Sequence, residues 1–200
     1  MTKRLVISIA VCCTLFLLAL PVFAQEDAAP QIDDEMMQKW MAASAPGENH
    51  EWLKKFEGEW KSVNTSYWGG PGSEPVVSEG SVQSEMILGG RFLSFSGTQP
   101  IMNMKMEGMG FIGYDNMENH YTLMWIDNLG TAMYLAAGTR EGDMLTLTGT
   151  MDEPMTGEMN KPIRYEYTWQ DADTYVFKLF DLVGTENEFV AMEETTTRLK

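Results

Sequence analysis

Cysteine and histidine are scarce in this chain of 200 residues. Both cysteines, Cys12 and Cys13, lie in an apolar N-terminal run, so the chain after them carries no thiol and forms no disulfide. This excludes cysteine-type zinc sites and thiol catalysis from that part of the chain. The two histidines, His50 and His120, accompany no nucleophile-elbow motif, and no glycine-rich phosphate loop leads from a strand into a helix. We therefore assign no catalytic residue, no metal ligand and no cofactor.

Basic residues are also few. The chain has 14 Lys and Arg against 29 Asp and Glu, which gives a formal net charge of −15. Nucleic acids and anionic membrane surfaces are bound through basic patches, so we expect neither as a partner. The acidic excess is typical of a well-solvated, secreted protein surface.

The N-terminus has the three-part layout of a secretory signal. Lys3 and Arg4 precede a long apolar run, and "PVFA" comes directly before "QEDAAP". We predict a signal peptide over residues 1–24, cleaved after Ala24, and a periplasmic or secreted protein with no stable membrane insertion after cleavage. The alternative is an uncleaved anchor, because the segment from Leu5 to Ala24 is long enough to cross a bilayer.

Residues 25–57 are predicted to form an acidic leader and a short N-terminal helical segment. Asp33 or Asp34 is a plausible N-cap for a first helix, and a second, shorter helix follows the Pro46 break. Apolar residues recur at helical spacing in the first helix, at Met36, Met37, Trp40 and Met41. Each helix is too short to be stable alone, so we expect both to dock on the rest of the protein.

From residue 58 onward the sequence predicts only strands, separated by turn signals. "PIRYEYTWQ" alternates apolar and polar residues, which indicates one buried and one solvated face. Short links require neighbouring strands to be antiparallel, and closure removes exposed edges, which favours a barrel over a sandwich. We predict an all-β domain over 58–200, a closed antiparallel up-and-down barrel of about 8–10 strands. The strand candidates are 59–68, 76–88, 91–99, 104–114, 120–127, 131–139, 144–151, 162–170, 174–183 and 187–199.

Three residues are expected to close one end of this barrel. Gly58 and Trp60 lie at the start of the first strand and Arg198 at the end of the last, and these strands are neighbours in a closed barrel. The arrangement resembles the calycin superfamily of lipocalin-like barrels. The resemblance implies that Trp60 plugs the barrel floor beneath the Arg198 guanidinium, a cation–π contact of about 0.5–2 kcal/mol.

A closer resemblance covers nearly the whole chain after the signal. Its motifs are "HEWLKKFEGEW", "EMILGGRFLSF", "MEGMGFIGYDNMENHYTLMWIDNLGT" and the terminal "TTTRLK". In this order they resemble a bacterial family known as domain of unknown function 1579. The resemblance implies a lipocalin-like barrel. It indicates no particular activity, since none is assigned to the family.

Candidate ligand contacts follow from the barrel prediction. An inward Arg91 could anchor an acidic ligand, although it could equally pair with surface carboxylates. "IMNMKMEGM" predicts Met102, Met104 and Met106 on one strand face, and we favour flexible apolar packing there over a Cu(I) site. Asp115 and Asp127 are each followed by Asn, which indicates turn formation rather than acid–base chemistry. The predicted ligand-binding residues are Arg91, Met104, Met106, Trp125 and Tyr165.

The function predicted from these features is binding of a small apolar or amphipathic molecule inside the barrel. Two alternatives stay open: an enzyme that acts on a small molecule in the same cavity, and an envelope protein whose filled barrel serves only as an interaction surface. A cavity with polar anchors favours binding or catalysis, whereas a solidly packed barrel favours the interaction protein.

Overall fold

The computed structural model of the protein describes residues 33–200. The predicted signal peptide, its alternative as an anchor and most of the acidic leader lie outside the described residues. Within residues 33–200, no helix is both long and apolar enough to cross a membrane.

A helical segment precedes ten strands. It consists of α1 (Asp34–Ser44), α2 (Glu48–Leu53) and a 3-10 turn (Lys54–Phe56). The strands are β1 (Gly58–Ser66), β2 (Val76–Ile87), β3 (Phe92–Ile101), β4 (Met104–Asp115), β5 (His120–Asp127), β6 (Tyr134–Glu141), β7 (Met144–Glu153), β8 (Glu158–Trp169), β9 (Thr174–Asp181) and β10 (Phe189–Arg198).

The ten strands form one closed barrel. Each strand pairs antiparallel with its neighbours along the chain, and β10 pairs with β1, which places Arg198 opposite Trp60. The predicted all-β, closed, antiparallel up-and-down barrel with a short N-terminal helical segment is confirmed. Because every strand has two partners, the backbone ladder has no open edge.

The two ends of the barrel differ. The helical segment lies at one end, where Lys55 forms an ion pair with Asp143 in the turn between β6 and β7. We call this the closed end. The up-and-down order places the connections 67–75, 102–103, 128–133, 154–157 and 182–188 at the opposite, open end.

The closed end is filled by aromatic packing. Trp60 is fully buried and donates from Nε1 to the Phe56 carbonyl at 3.0 Å. The Arg198 guanidinium carbon lies 4.0 Å from the centre of the Trp60 ring, and Arg198 also donates to the carbonyls of Lys55 and Glu57. A Cβ at Gly58, where φ is +131°, would lie 2.8 Å from the Arg198 guanidinium, so glycine is needed there. Gly58, Trp60 and Arg198 thus lie together at the closed end.

Only one of the two helices docks on the barrel as expected. In α2, Trp52 and Leu53 are buried against the barrel end, as predicted. In α1, Asp33 is the N-cap, but no residue of the helix is buried and Trp40 is 66% exposed. The expectation that α1 docks its apolar face is therefore wrong for the described residues. Barrel side chains hold only its last turn, since Asn116 donates to the Ala43 and Ala45 carbonyls.

The β3–β4 and β7–β8 connections also differ from the prediction. Met102 does not share a strand with Met104, because Met102 and Asn103 form the two-residue turn between β3 and β4, with φ of +48° and +65°. The β7–β8 turn is only 154–157, and Glu153 pairs with Glu158 past a bulge after Met151. Pro, Gly and polar residues predicted a longer loop there, but the ladder continues across them once the neighbouring strands are paired.

Candidate ligand cavity

The open end of the barrel leads into a cavity of about 430 Å³. Ligand pockets in proteins typically measure roughly 300–1,000 Å³ and are mostly apolar with a few placed polar groups. Each of the ten strands supplies at least one lining residue. The barrel is thus filled at its closed end and hollow at its open end.

Four of the five predicted ligand contacts line this cavity. They are Met104, Met106, Trp125 and Tyr165, which come from β4, β5 and β8. Strand alternation brings them together, because every second residue of a strand points to the same face and residues directly opposite each other on paired strands share that face. Their role as ligand contacts stays a prediction.

Arg91 lies elsewhere. It is in the β2–β3 turn at the closed end, where Nε donates to the Ser44 carbonyl at 3.1 Å and a terminal nitrogen donates to the Leu88 carbonyl at 3.1 Å. The structure therefore places Arg91 at the junction with α1 and not among the cavity-lining residues. Its guanidinium position is explained by two backbone carbonyls.

Aromatic rings form much of the cavity wall. Phe95 and Trp125 are stacked with ring centroids 5.6 Å apart, and Tyr165 and Phe177 are stacked at 6.1 Å. Tyr167 contacts Phe177 at 4.9 Å and connects the second pair to the aromatic cluster of the closed end. The rings offer flat, rigid surfaces at low cost in conformational entropy.

Methionines line the cavity toward its opening. Met106 is buried, whereas Met102 and Met104 are 47% and 50% exposed at the rim. Met151, Met155 and Met192 also line the cavity. Flexible thioether side chains adapt to irregular apolar surfaces, which suits a variable ligand. The preference for packing over Cu(I) binding stays a prediction.

One side of the cavity is polar, and we call it the polar wall. Trp60 points inward on β1, so Ser62 and Asn64 point inward too, and both are buried. On β10 the inward Arg198 places Thr196 and Glu194 on the same side, with Glu194 directly opposite Asn64. The members of the polar wall are Ser62, Asn64, Gln99, Glu194 and Thr196; of these, Ser62, Gln99 and Glu194 line the cavity, and Asn64 and Thr196 lie beside them on the same strand faces.

Gly80 of β2 lets the polar wall continue from β1 to β3. A Cβ at this position would lie 2.8 Å from Ser62 Oγ, 2.7 Å from the Thr98 carbonyl oxygen and 3.0 Å from Gln99 Cβ. The missing side chain therefore allows Ser62 and Gln99 to approach each other across the strand between them.

Two polar side-chain atoms of this wall lack a hydrogen-bond partner among residues 33–200. Thr196 Oγ1 donates to Glu194 Oε1 at 3.3 Å. Within residues 33–200, neither Asn64 Nδ2 nor Gln99 Oε1 has a hydrogen-bond partner, although Asn64 is 2% and Gln99 7% exposed. A buried polar group without a partner costs about 1–3 kcal/mol. A ligand that supplied the missing partners would recover part of that cost.

Burial raises the pKa of Glu194, because the cavity solvates the carboxylate poorly. Thr196, Ser62 and Asn64 oppose this effect, since their polar side chains favour the charged form, but burial outweighs them. No cationic side chain of residues 33–200 forms an ion pair with Glu194, which explains why burial prevails.

Replacing Glu194 by Gln should change the pH dependence of stability. A carboxyl whose pKa is raised on folding binds its proton more tightly in the folded state, so stability falls as the pH rises from the ordinary Glu pKa through the folded one. Glu194→Gln removes that loss, so without ligand the variant should gain stability over wild type as the pH rises from acid to neutral. Urea unfolding at a series of pH values measures the difference.

The control is Glu193→Gln, which removes a carboxylate from the outer face of the same strand, where Glu193 pairs with Lys178 at 2.9 Å. Parallel stability curves for wild type and Glu194→Gln across the pH range would contradict the assignment of a poorly solvated carboxylate.

The other titratable residues singled out in the sequence have structural roles. His50 Nδ1 accepts from the Gly47 amide and caps α2, and burial lowers its pKa. Asp115 accepts from the Met117 and Glu118 amides, and Asp127 accepts from the Leu129 amide, which confirms turn formation. Within residues 33–200 there is no group of three His, Cys, Asp or Glu suited to hold a metal ion.

The polar wall was not predicted from the sequence. Its signal was nevertheless present, because counting in twos from Trp60 reaches Ser62 and Asn64, and counting back from Arg198 reaches Thr196 and Glu194. These positions are polar where a barrel interior is expected to be apolar. Polar residues on the inward faces of two paired strands indicate that the interior there is not packed with apolar side chains alone.

Comparison with known proteins agrees with this fold. A family model described as "Protein of unknown function (DUF1579)" matches residues 45–198. No curated protein matches the chain.

Two solved structures have the same barrel. The crystal structure of Rv2717c from M. tuberculosis is 13% identical with a TM-score of 0.54, and the match covers 78% of this chain and all of that one. The S-type phycobiliprotein lyase CPES from Guillardia theta is 11% identical with a TM-score of 0.52, and the match covers 76% of this chain and 93% of that one. At these identities the likeness shows the fold alone.

Proposed function

We propose that this chain, which belongs to the DUF1579 family, binds a small apolar or amphipathic molecule in its barrel cavity. The observation that carries the proposal is a cavity of about 430 Å³ with aromatic and methionine walls and a polar wall whose Gln99 and Asn64 lack partners. A barrel serving only as an outer surface has no need for a hollow interior or for unpaired buried polar atoms, since both reduce stability.

The cavity supports binding more strongly than catalysis. Of the acidic residues that line it, Asp127 accepts from Trp125 Nε1 at 3.0 Å and Glu153 pairs with Lys161 at 3.4 Å. No His, Lys or Cys of the described residues lines the cavity, and the Ser62 and Thr196 hydroxyls beside Glu194 have only this carboxylate as a base. The phycobiliprotein lyase has the same barrel, but the ligand class proposed for this chain rests on its own cavity.

Filling the cavity should abolish binding. Gly97 lines the cavity on β3, and a Cβ there would lie 3.3 Å from the Ser81 carbonyl and 3.6 Å from Val82 Cγ2. Gly97→Leu should therefore fold with a loss of about 1–3 kcal/mol while its side chain occupies ligand space. We expect wild type to bind the neutral fluorescent dye N-phenylnaphthylamine and Gly97→Leu to bind it about tenfold more weakly or not at all.

The matched control is Ser96→Leu, the same new side chain one residue earlier on the exposed face of β3. It should bind the dye like wild type. Native mass spectrometry of the purified wild-type protein should in addition show a co-purifying small molecule that Gly97→Leu lacks. Equal dye binding by wild type and a folded Gly97→Leu would contradict the proposed site.

A further inference from the structure

We infer that the ligand is an amphipathic organic cation, whose ammonium group lies at Glu194 and whose apolar part extends toward the methionines at the open end. This inference rests on the proposed function and specifies the chemistry of the same cavity. It is drawn from three features of the cavity: its charges, the rings beside Glu194 and the depth of the polar wall.

The charges of the cavity favour a cation. Three carboxylates line it, those of Asp127, Glu153 and Glu194, and no Lys, Arg or His of the described residues does. Asp127 is occupied by Trp125 Nε1 and the Leu129 amide, and Lys161 neutralises Glu153. Glu194 is the one lining carboxylate left without a cationic or backbone partner within residues 33–200. A ligand carboxylate would meet it with no compensating charge, whereas a ligand ammonium would neutralise it.

Aromatic rings beside Glu194 add a second source of affinity for a cation. In the β9–β10 ladder Glu194 lies opposite Phe177, and Tyr167 contacts Phe177 with ring centroids 4.9 Å apart. The electron-rich faces of such rings attract ammonium groups, and the attraction increases when water is excluded. A carboxylate next to aromatic rings is the combination that recognises organic cations.

The position of Glu194 along the barrel sets the orientation of the ligand. Going up from the barrel floor, the β1–β10 register pairs Trp60 with Arg198, then Ser62 with Thr196, then Asn64 with Glu194. Glu194 thus lies well inside the barrel, while Met102 and Met104 lie at the rim. The ammonium group enters first and lies deep, and the apolar chain fills the methionine-lined mouth. Gln99 Oε1, an unpaired acceptor, is available to a second N–H of the ligand.

The test compares three ligands that differ only in the head group: decylamine, decanol and decanoate. Each displaces N-phenylnaphthylamine from the full-length protein at neutral pH, below the concentration at which it forms micelles. We expect decylamine to bind about tenfold more tightly than decanol or better, because its ammonium neutralises the Glu194 carboxylate whereas the decanol hydroxyl only donates a hydrogen bond to it, and decanoate to bind more weakly than decanol.

Glu194→Gln should remove the preference for the amine and bring its affinity to that of decanol, so that the loss is larger for decylamine than for decanol. Glu193→Gln is the matched control, since that carboxylate lies on the outer face of the same strand, and it should keep the wild-type order. The wild-type comparison of the three head groups decides the question by itself if Glu194→Gln does not fold.

Each result has a distinct meaning. Decylamine as the tightest ligand, with the preference lost in Glu194→Gln, supports the inference. Equal binding of decanol and decylamine, or an amine preference that survives in a folded Glu194→Gln, overturns the inference and leaves the proposed function intact. Failure of the dye and all three ligands to bind wild type overturns both.

Discussion

Replacing Trp60 by alanine is expected to lower the free energy of unfolding by roughly 3–5 kcal/mol, the range for losing a large buried aromatic side chain. The indole is fully buried between Tyr175, at 5.2 Å between ring centroids, and Trp169, at 5.9 Å. Its loss would also leave the Phe56 carbonyl without the Trp60 donor. Denaturant unfolding followed by circular dichroism measures the change.

The matched control is Trp40→Ala, because Trp40 is the same residue type on the exposed face of α1. Its loss should stay within about 0.5 kcal/mol of wild type. A comparable destabilisation by both substitutions would show that the barrel floor does not depend on Trp60 as the structure indicates.

Arg198→Ala should cost less than Trp60→Ala, and the two losses should add only in part. The cation–π contact is shared and is lost once, which gives a coupling of about 0.5–2 kcal/mol in a double-mutant cycle. The bonds from Arg198 to the Lys55 and Glu57 carbonyls, and its 3.2 Å ion pair with Asp173, are independent of the indole. Fully additive losses would contradict the stacked arrangement.

Lys161→Met is the second substitution expected to have a large effect, with a loss of roughly 3–5 kcal/mol. The Lys161 ammonium is buried between two carboxylates, 2.9 Å from Asp181 and 3.4 Å from Glu153. Burial acts to lower the pKa of Lys161, but the two carboxylates outweigh it and the net shift is upward. Removing the ammonium would leave both carboxylates poorly solvated and close together. Thermal and urea unfolding measure the loss.

Two further variants separate this explanation from a general effect of losing a lysine. Lys178→Met removes a surface ion pair with Glu193 and should cost less than about 1 kcal/mol. Adding Asp181→Leu to Lys161→Met should recover part of the stability, because it removes one uncompensated charge. A double variant less stable than Lys161→Met would show that unpaired carboxylate charge is not what destabilises Lys161→Met.

Much of the fold could be predicted from local patterns. "PIRYEYTWQ" alternates with a period of two, and the connections between strands are too short for parallel crossovers, so the antiparallel order followed. Gly58, Trp60 and Arg198 indicated which strands close the barrel. Two predictions were wrong: Met102 lies in a turn and not in a strand, and the apolar face of α1 does not dock. Both rested on methionines, which suit a strand, a turn or a helix equally well.

The candidate site was predictable only in part. Four predicted contacts line the cavity because alternate residues of each strand point into the barrel. They are Met104, Met106, Trp125 and Tyr165. Arg91 was included among the predicted ligand contacts, yet two backbone carbonyls hold it at the closed end. Glu194 was passed over because it follows Glu193 and precedes three threonines, and such a polar run looks solvated.

By itself, the sequence determined the strands, their antiparallel order, the closure of the barrel and its aromatic floor, because these depend on period, link length and neighbours in the chain. Only the tertiary structure decided that the barrel is hollow at one end, that Glu194 has no cationic partner among the described residues, and that Asn64 Nδ2 and Gln99 Oε1 are left there without hydrogen-bond partners. Those properties depend on the register between strands far apart in the chain and on which polar atoms remain unpaired after all strands have closed. No local pattern carries that information.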